Sequence, residues 1–449
     1  MCILLWTLPN CSHPRFKFAF ASNRDEFMAR STSRADFWDL DSIIKQANRV
    51  ETAATGAGAY ADDNGDFASP IGVGILSGQD LQPATTKNYI MDEFEVPSVT
   101  TTTDEPAKKV KLQLSTDKLP GTWMGISTQG DLVALTNYRE TMEYMAQKRP
   151  VKLSRGKVCG EYLIHRAVST PSSSSSSSSA ENWIKKRAQG WEDEFEGLNL
   201  LVVQNSGAHQ VIGGNREGSN LTILNVDTKD ASGHGEKKPI TAGVSNSIFG
   251  RPWSKVETGV KALETTLEKS LDIFGTSPLK SCTFADPHHQ QQPYHDVHSE
   301  ETQELAWLVI QMLTLLRTNT HPLTAEESKD PSSLVMALRR RVFIPRTAFG
   351  PSVDMEYGTR SSAVVLFGRE QEGVQGQVAV FVEKIWYGPR DETTGVRVEY
   401  APDSTEGMVW WQGQVGQDQK HWRQIQGEEL EALVQSARET QARAEATCL

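Results

Sequence analysis

The chain opens on two short apolar runs. Cys2–Thr7 is hydrophobic almost throughout, and in Arg15–Ser22 the residues Phe16, Phe18 and Phe20 alternate with Arg15, Lys17 and Ala19. A period of two marks a strand with one face buried. Pro9, Asn10, Ser12 and Pro14 supply the turn between the runs. The pair reads as a hairpin, with Asn23-Arg24-Asp25-Glu26 at the end of its second strand, beside the strand that carries Cys2. Antiparallel neighbours lie about 5 Å apart, so side chains there can converge.

Thr122–Tyr138 predicts a strand pair turning at Gln129-Gly130-Asp131. Leu198–Gln204, Gln210–Ile212, Leu221–Val226, Ser361–Phe367 and Gln377–Val382 predict further strands, with a hairpin turn at Gly213-Gly214-Asn215. Gly156–Thr170 has helical spacing. Lys255–Phe274 places Val256, Val260, Leu263, Leu267 and Leu271 on one helical stripe. Glu300–Arg317 reads as a buried helix, and a charged helix over Glu428–Glu445 ends the chain. Residues 41–74, 81–118, 171–181, 227–239 and 278–299 are poor in pattern, and 172–179 are all serine. They read as flexible insertions in one domain spanning residues 2–449. No βαβ alternation and no dinucleotide glycine fingerprint occurs, so the pattern supports an α+β or four-layer class.

A net charge of −11 argues against a nucleic-acid or anionic-membrane binder. The five Cys are odd in number and contain no Cys-x-x-Cys, which suits a reducing compartment without a disulfide framework. The start lacks a basic leader, and neither it nor Leu305–Leu316 is long enough to cross a bilayer.

Candidate chemistry concentrates near the amino terminus. Removing Met1 would place a thiol and a free α-amine on Cys2, groups that titrate near pH 8.5 and pH 8. Such an amine can serve as base for its own residue's nucleophile. The alternative is a buried strand cysteine. In Asn23–Glu26, an Arg would favour the thiolate and a carboxylate the ammonium, against the alternative of a charged turn. Asn137 could donate to an oxyanion, or hold its own turn. Gly243–Ser247 could present backbone N–H groups to an anion, with Ser254 capping the following helix. Arg360 could hold a carboxylate or phosphate, or stand exposed at a sheet edge. Cys282, His288, His289, His295 and His298 fit no zinc spacing and read as loop, so no metal is expected.

Met1-Cys2-Ile3-Leu4, Asn23-Arg24-Asp25-Glu26-Phe27, Gly121-Thr122-Trp123-Met124-Gly125-Ile126-Ser127, Ala134-Leu135-Thr136-Asn137-Tyr138, Ser154-Arg155-Gly156, Gly243-Val244-Ser245-Asn246, Pro252-Trp253 and Tyr357-Gly358-Thr359-Arg360 occur in this order. The ordered set resembles the transport and Golgi organisation protein 2 family, also called the NRDE family. That family looks like a member of the N-terminal nucleophile hydrolase superfamily. The resemblance implies a four-layer αββα sandwich with surface insertions, similar to the choloylglycine hydrolase and penicillin V acylase branch. By that resemblance Cys2, Arg24, Asp25 and Asn137 are the catalytic positions, with a late Arg at Arg251 or Arg360. Asn23, Glu26, Trp123, Asn246 and Arg360 are the ligand-binding positions it implies. Arg24 and Asp25 are adjacent here, unlike in that branch, and adjacent strand residues point to opposite faces. The family associations imply a role in Golgi organisation, secretion and handling of a lipid-like, acyl-CoA or haem ligand. They also imply a cytoplasmic protein associated with Golgi or mitochondria, with no cofactor. The alternative they leave is a cysteine amidohydrolase of linear amides.

Overall fold

The computed structural model describes residues 2–9, 11, 13–45, 48–50, 73–80, 88–96, 108–115, 119–138, 153–168, 180–189, 191–214, 221–224, 240–275, 299–318, 324, 327, 331–348, 355–370, 377–390, 393 and 397–447. In chain order the strands are β1 (Ile3–Thr7), β2 (Phe16–Phe27), β3 (Asp36–Phe37), β4 (Asn48–Val50), β5 (Ile75–Ser77), β6 (Asn88–Val96), β7 (Lys108–Ser115), β8 (Met124–Ser127), β9 (Leu132–Asn137) and β10 (Leu198–Gln204). There follow β11 (His209–Gly214), β12 (Leu221–Leu224), β13 (Thr241–Val244), β14 (Thr347–Ala348), β15 (Glu356–Gly368), β16 (Gln377–Ile385), β17 (Tyr387–Arg390), β18 (Arg397–Glu399), β19 (Met408–Val415) and β20 (Arg423–Ile425). The helices are α1 (Leu40–Lys45), α2 (Gly156–Val168), α3 (Ala180–Ala188), α4 (Trp191–Glu194), α5 (Ser254–Phe274), α6 (Glu300–Leu316), α7 (Pro331–Leu338) and α8 (Gly427–Thr447).

Two antiparallel sheets dominate. One runs β13-β1-β2-β15-β16-β19-β20, with β14 on β15; the other runs β12-β11-β10-β9-β8-β5-β3. Strand alternation sorts their side chains into three apolar layers. Ile3, Leu5, Ala19 and Ala21 of the first sheet pack under α5, α6 and α8. Leu4, Trp6, Phe18 and Phe20, one residue out of phase, meet Met124, Ile126, Leu132 and Ala134 of the second sheet. The outer face of that sheet, with Val133 and Leu135, packs under α2, α3 and α4. The order is helix, sheet, sheet, helix: an α+β αββα sandwich.

Three sequence expectations change. Asn23–Glu26 lies inside β2, because β15 carries the ladder on from Phe18–Phe367 to Phe27–Tyr357. Gly213 and Gly214 belong to β11, with Gly213 paired to Leu221 of β12, and Asn215 lies outside the described residues. Within 81–118, β6 and β7 pair with β4 as a separate sheet. The remaining low-pattern segments, including Cys282 and His288–His298, lie outside the described residues apart from 41–45, 48–50, 73–74, 180–181 and 299.

Arg15 anchors the helix layer on the first sheet. Its guanidinium donates to the Phe274 carbonyl at the end of α5 and pairs with Glu304 in α6. Burial pushes the Glu304 carboxyl up to about 7 although Arg15 pulls it back. The folded chain then keeps a proton between pH 4.5 and 7 that the unfolded chain releases, so this group removes stability as pH rises through that window. Glu304→Gln should gain on the parent by up to ~3 kcal/mol between pH 4.5 and pH 8, the linkage equivalent of the shift. Urea unfolding at both ends of the range measures it; a parent–variant difference independent of pH contradicts it.

Candidate functional site

Cys2 is buried at the amino-terminal end of β1. The β1–β2 register pairs Ile3 with Asn23, so one step further Cys2 stands opposite Arg24. On the other flank Leu4 pairs with Val244, where that ladder ends, and Asn246 follows two residues later in a bend. Leu4 and Phe20 face the layer between the sheets, and period-two alternation turns Cys2 and Arg24 to that same face. Cys2 and Arg24 form a row across β1 and β2. Ser361 on β15, paired with Arg24, extends it.

Arg24 and Asn246 each carry hydrogen-bonding capacity that the described residues do not use. Asn246 is 8% exposed and its Oδ1 is buried without a partner. Arg24 is buried, and among the described residues no carboxylate lies within ion-pairing distance of it. Burial pushes its guanidinium down from the ordinary value, while the Glu26 charge pulls it up. Glu26 instead pairs with Arg30 at 2.7 Å, and Arg30 also pairs with Asp80. Burial pushes the Cys2 thiol up. The positive amino terminus offsets this in part, and the Asp25 charge adds to it. The thiol donates weakly to the Asp25 carbonyl at 3.9 Å.

Asn23 and Asp25 face the opposite way, towards the helices. The Asn23 amide donates to the Leu316 and Val342 carbonyls, at 2.8 Å each, and accepts from Ser362. The structure therefore makes Asn23 a bridge between β2, the end of α6 and the segment at 342–344, away from the Cys2 face. Asp25 Oδ1 accepts from Thr359 Oγ1 at 2.7 Å, and its Oδ2 lies 3.8 Å from Lys255 Nζ, with both side chains 0% exposed. A bulge in β15 between Thr359 and Ser361 lets Thr359 reach Asp25 while Ser361 faces Arg24. Arg360 is the extra residue. It donates to the Arg30 carbonyl, and the nearby Arg24 charge pushes its own guanidinium down further after burial has done so. Arg251, the other late Arg, is exposed.

The segment after β13 is pinned on both sides. Ser245 Oγ donates to the Cys2 carbonyl at 2.6 Å. Thr136 Oγ1 donates to the Ser245 carbonyl, and Asn199 Nδ2 donates to the Ser245 and Ser247 carbonyls at 2.9 and 2.8 Å. Thr136 thus shares the inter-sheet face with Leu132 and Ala134, and alternation turns Asn137 outward with Val133 and Leu135. The structure does not bring Asn137 beside Cys2, because it pairs with Leu198 on the outer face of the second sheet. Trp123 lies in the inter-sheet core. A cavity of about 280 Å³ begins two residues beyond Asn246, lined by Ile248, Phe249, Leu198, Asn199, Ile212 and Tyr138 among others.

Ser254 does not cap α5: it is the first helical residue, and Trp253 holds the cap position without a side-chain bond. The sequence reading missed Lys255, which follows it. A lysine four residues before Gly259, where the helix touches Ile3 and Leu5, must point at β1. No signal in the sequence alone marks it, because the contact depends on how α5 docks against β1. Among the described residues no cluster of three His, Cys, Asp or Glu could hold a metal, and no helix is long and apolar enough to cross a membrane.

Relatives and solved structures can be set beside this geometry. Transport and Golgi organization 2 homologs of Mus musculus and Homo sapiens are each 24% identical, over 278 and 276 residues, or 60% of this chain. The chain matches 66% of the length of each, just under two thirds. Among solved structures, a mutant conjugated bile acid hydrolase from Clostridium perfringens aligns with a TM-score of 0.28 and 8% identity, covering 95% of this chain and 97% of that one. Penicillin V acylase from Agrobacterium tumefaciens aligns with a TM-score of 0.30 and 8% identity, covering 95% and 98%. The family profile for Transport and Golgi organisation 2 matches residues 1–57 and 108–387, which leaves out the stretch containing β6. With three quarters of its length matched by that profile, the chain belongs to the Transport and Golgi organisation 2 family.

Proposed function

We propose that the chain is a cysteine N-terminal nucleophile amidohydrolase acting on a linear amide, once Met1 is removed. The observation that carries this reading is the buried Cys2 thiol at the head of β1, across from Arg24, whose guanidinium has no carboxylate within ion-pairing distance among the described residues, with Asn246 two residues past the end of β13. The Cys2 thiol proton passes to the Cys2 α-amine, and Sγ bonds to the substrate carbonyl carbon. The carbonyl oxygen becomes an oxyanion, and the Asn246 amide donates to it. As the C–N bond breaks, the α-ammonium returns its proton to the leaving nitrogen. Water then cleaves the thioester, releasing the acid and restoring the thiol. Asp25, on the amino-terminal side of Cys2, orients the amine. Arg24 receives negative charge on the substrate or the thiolate. A panel of N-acyl anilides tests this by the first turnover. The expected result is a burst of released aniline equal to the concentration of processed chain, absent in Cys2→Ala. A processed chain with no burst on any member would overturn the reading.

A second reading has a specific observation behind it. Burial holds the Cys2 thiol protonated at rest, which suits a pocket that binds an acyl-CoA, lipid or haem ligand without turnover. On that reading the chain serves Golgi organisation and secretion as a cytoplasmic ligand carrier at Golgi or mitochondrial surfaces. Tight binding of a fluorescent acyl-CoA, equal in the parent and Cys2→Ala, together with no burst, would favour it.

A further inference from the structure

A fully buried lysine is costly, because desolvation of an ammonium amounts to several kcal/mol even after relaxation. Lys255 accepts that cost in the first turn of α5, where the positive end of the helix dipole adds to it. The chain could place an apolar residue there, as it does one position on at Val256. Lys255 instead sits 3.8 Å from Asp25 Oδ2, close enough to Cys2 for the two side chains to interact electrostatically, and under the Trp253 ring, whose centroid is 5.9 Å from Nζ.

Resting on the nucleophile reading above, we propose that Lys255 is a positioning residue that keeps the Cys2 α-amine in its base form by sharing the Asp25 carboxylate. One buried carboxylate cannot stabilise two ammonium groups equally. Lys255 is held in place by the helix, so a proton on the Cys2 amine meets a carboxylate already neutralised and a cation nearby. The amine is then free to take the thiol proton near neutral pH.

The other charged or titratable groups facing this cluster do not reverse that balance. From β2 they are Arg24 and Glu26, and Glu26 is already paired with Arg30. From β15 there is Tyr357, whose hydroxyl burial pushes well above its ordinary range. From the turn before α2 comes Arg155, a further cation within electrostatic reach of Cys2. Arg339 stacks on Trp253 at 5.0 Å, on the same ring as Lys255. The cations all disfavour a second ammonium at residue 2. Burial itself pushes the Lys255 amine down, and Asp25 pulls it back up.

The first test needs no variant. The Cys2 amine of the processed native chain is titrated by competitive acetylation. The expected pKa lies at least one unit below the ordinary α-amine value of about 8; a value at or above 8 overturns the proposal. Lys255→Met should then move the acid limb of Cys2 acylation up by about one unit. At pH 6.5 that is a rate about tenfold lower. Lys255→Arg, which keeps the charge, should retain the parent limb. A folded Lys255→Met with the parent's limb overturns the proposal, and if that variant fails to fold, the native titration with Lys255→Arg decides. Retained Met1, or no acylation at any pH, would instead overturn the nucleophile reading itself.

Discussion

Asn246→Ala should slow acylation of Cys2 by ~10²–10³-fold, the ~3–4 kcal/mol that one oxyanion donor contributes in acyl transfer. Asn137→Ala should leave the rate near that of the parent. The contrast follows from their places in the fold. Asn246 follows Ser245, whose hydroxyl is bonded to the Cys2 carbonyl, whereas Asn137 shares the outward phase of Leu135. Stability separates this effect from misfolding. The Asn246 Oδ1 accepts no hydrogen bond from the protein, and the segment is held by Ser245, Thr136 and Asn199. Asn246→Ala should therefore melt within a few degrees of the parent. A parent-like acylation rate in Asn246→Ala would remove Asn246 from the site.

Asn23→Ala should have the opposite profile. It strands the Leu316 and Val342 carbonyls and the Ser362 hydroxyl in a site 0% exposed. Each buried group left unsatisfied costs about 1–3 kcal/mol, so a loss of ~3–5 kcal/mol is expected. Asn23→Asp should be no better, because it sets a carboxylate oxygen against two carbonyls. Ser362 also accepts from Trp386 Nε1 at 2.7 Å, so the damage spreads into β16's end and the helix layer. Chemical denaturation reads this directly. A change below about 1 kcal/mol, the value of one ordinary hydrogen bond, would contradict the bridging role.

These two residues show what the sequence could reveal. The hairpin, the two strong helices and the alternating strands carry regular apolar periods, and they fold as those periods predict. Asn23–Glu26 looked like a charged turn because four polar residues in a row normally lie in water. Here the run continues β2 between β1 and β15, and alternation distributes it: Asn23 and Asp25 under the helices, Arg24 between the sheets. Only the pairing partners, more than 300 residues away on β15, make that burial possible. Asn137 and Asn246 are equally plausible donors as letters. Which one lies near Cys2 depends on how β9 and the segment after β13 sit relative to β1, a long-range property. Lys255 was hidden for the same reason, since a lysine next to a serine at a helix start reads as solvent-facing until the helix is seen against β1 and Asp25. β6 and β7 carry too little apolar alternation to stand out, and they pair with β4 outside the two main sheets.

The central claim is that Cys2 is a free amino-terminal nucleophile at the head of β1, across from Arg24. Intact-mass analysis of the full chain before and after incubation with an amide-directed electrophile tests it most directly. The account predicts a chain without Met1 that gains one adduct, mapped to Cys2, while Cys11 and Cys159, both buried, stay unmodified. A chain that retains Met1 or carries an acetylated Cys2, and gains no adduct at that residue, would contradict it.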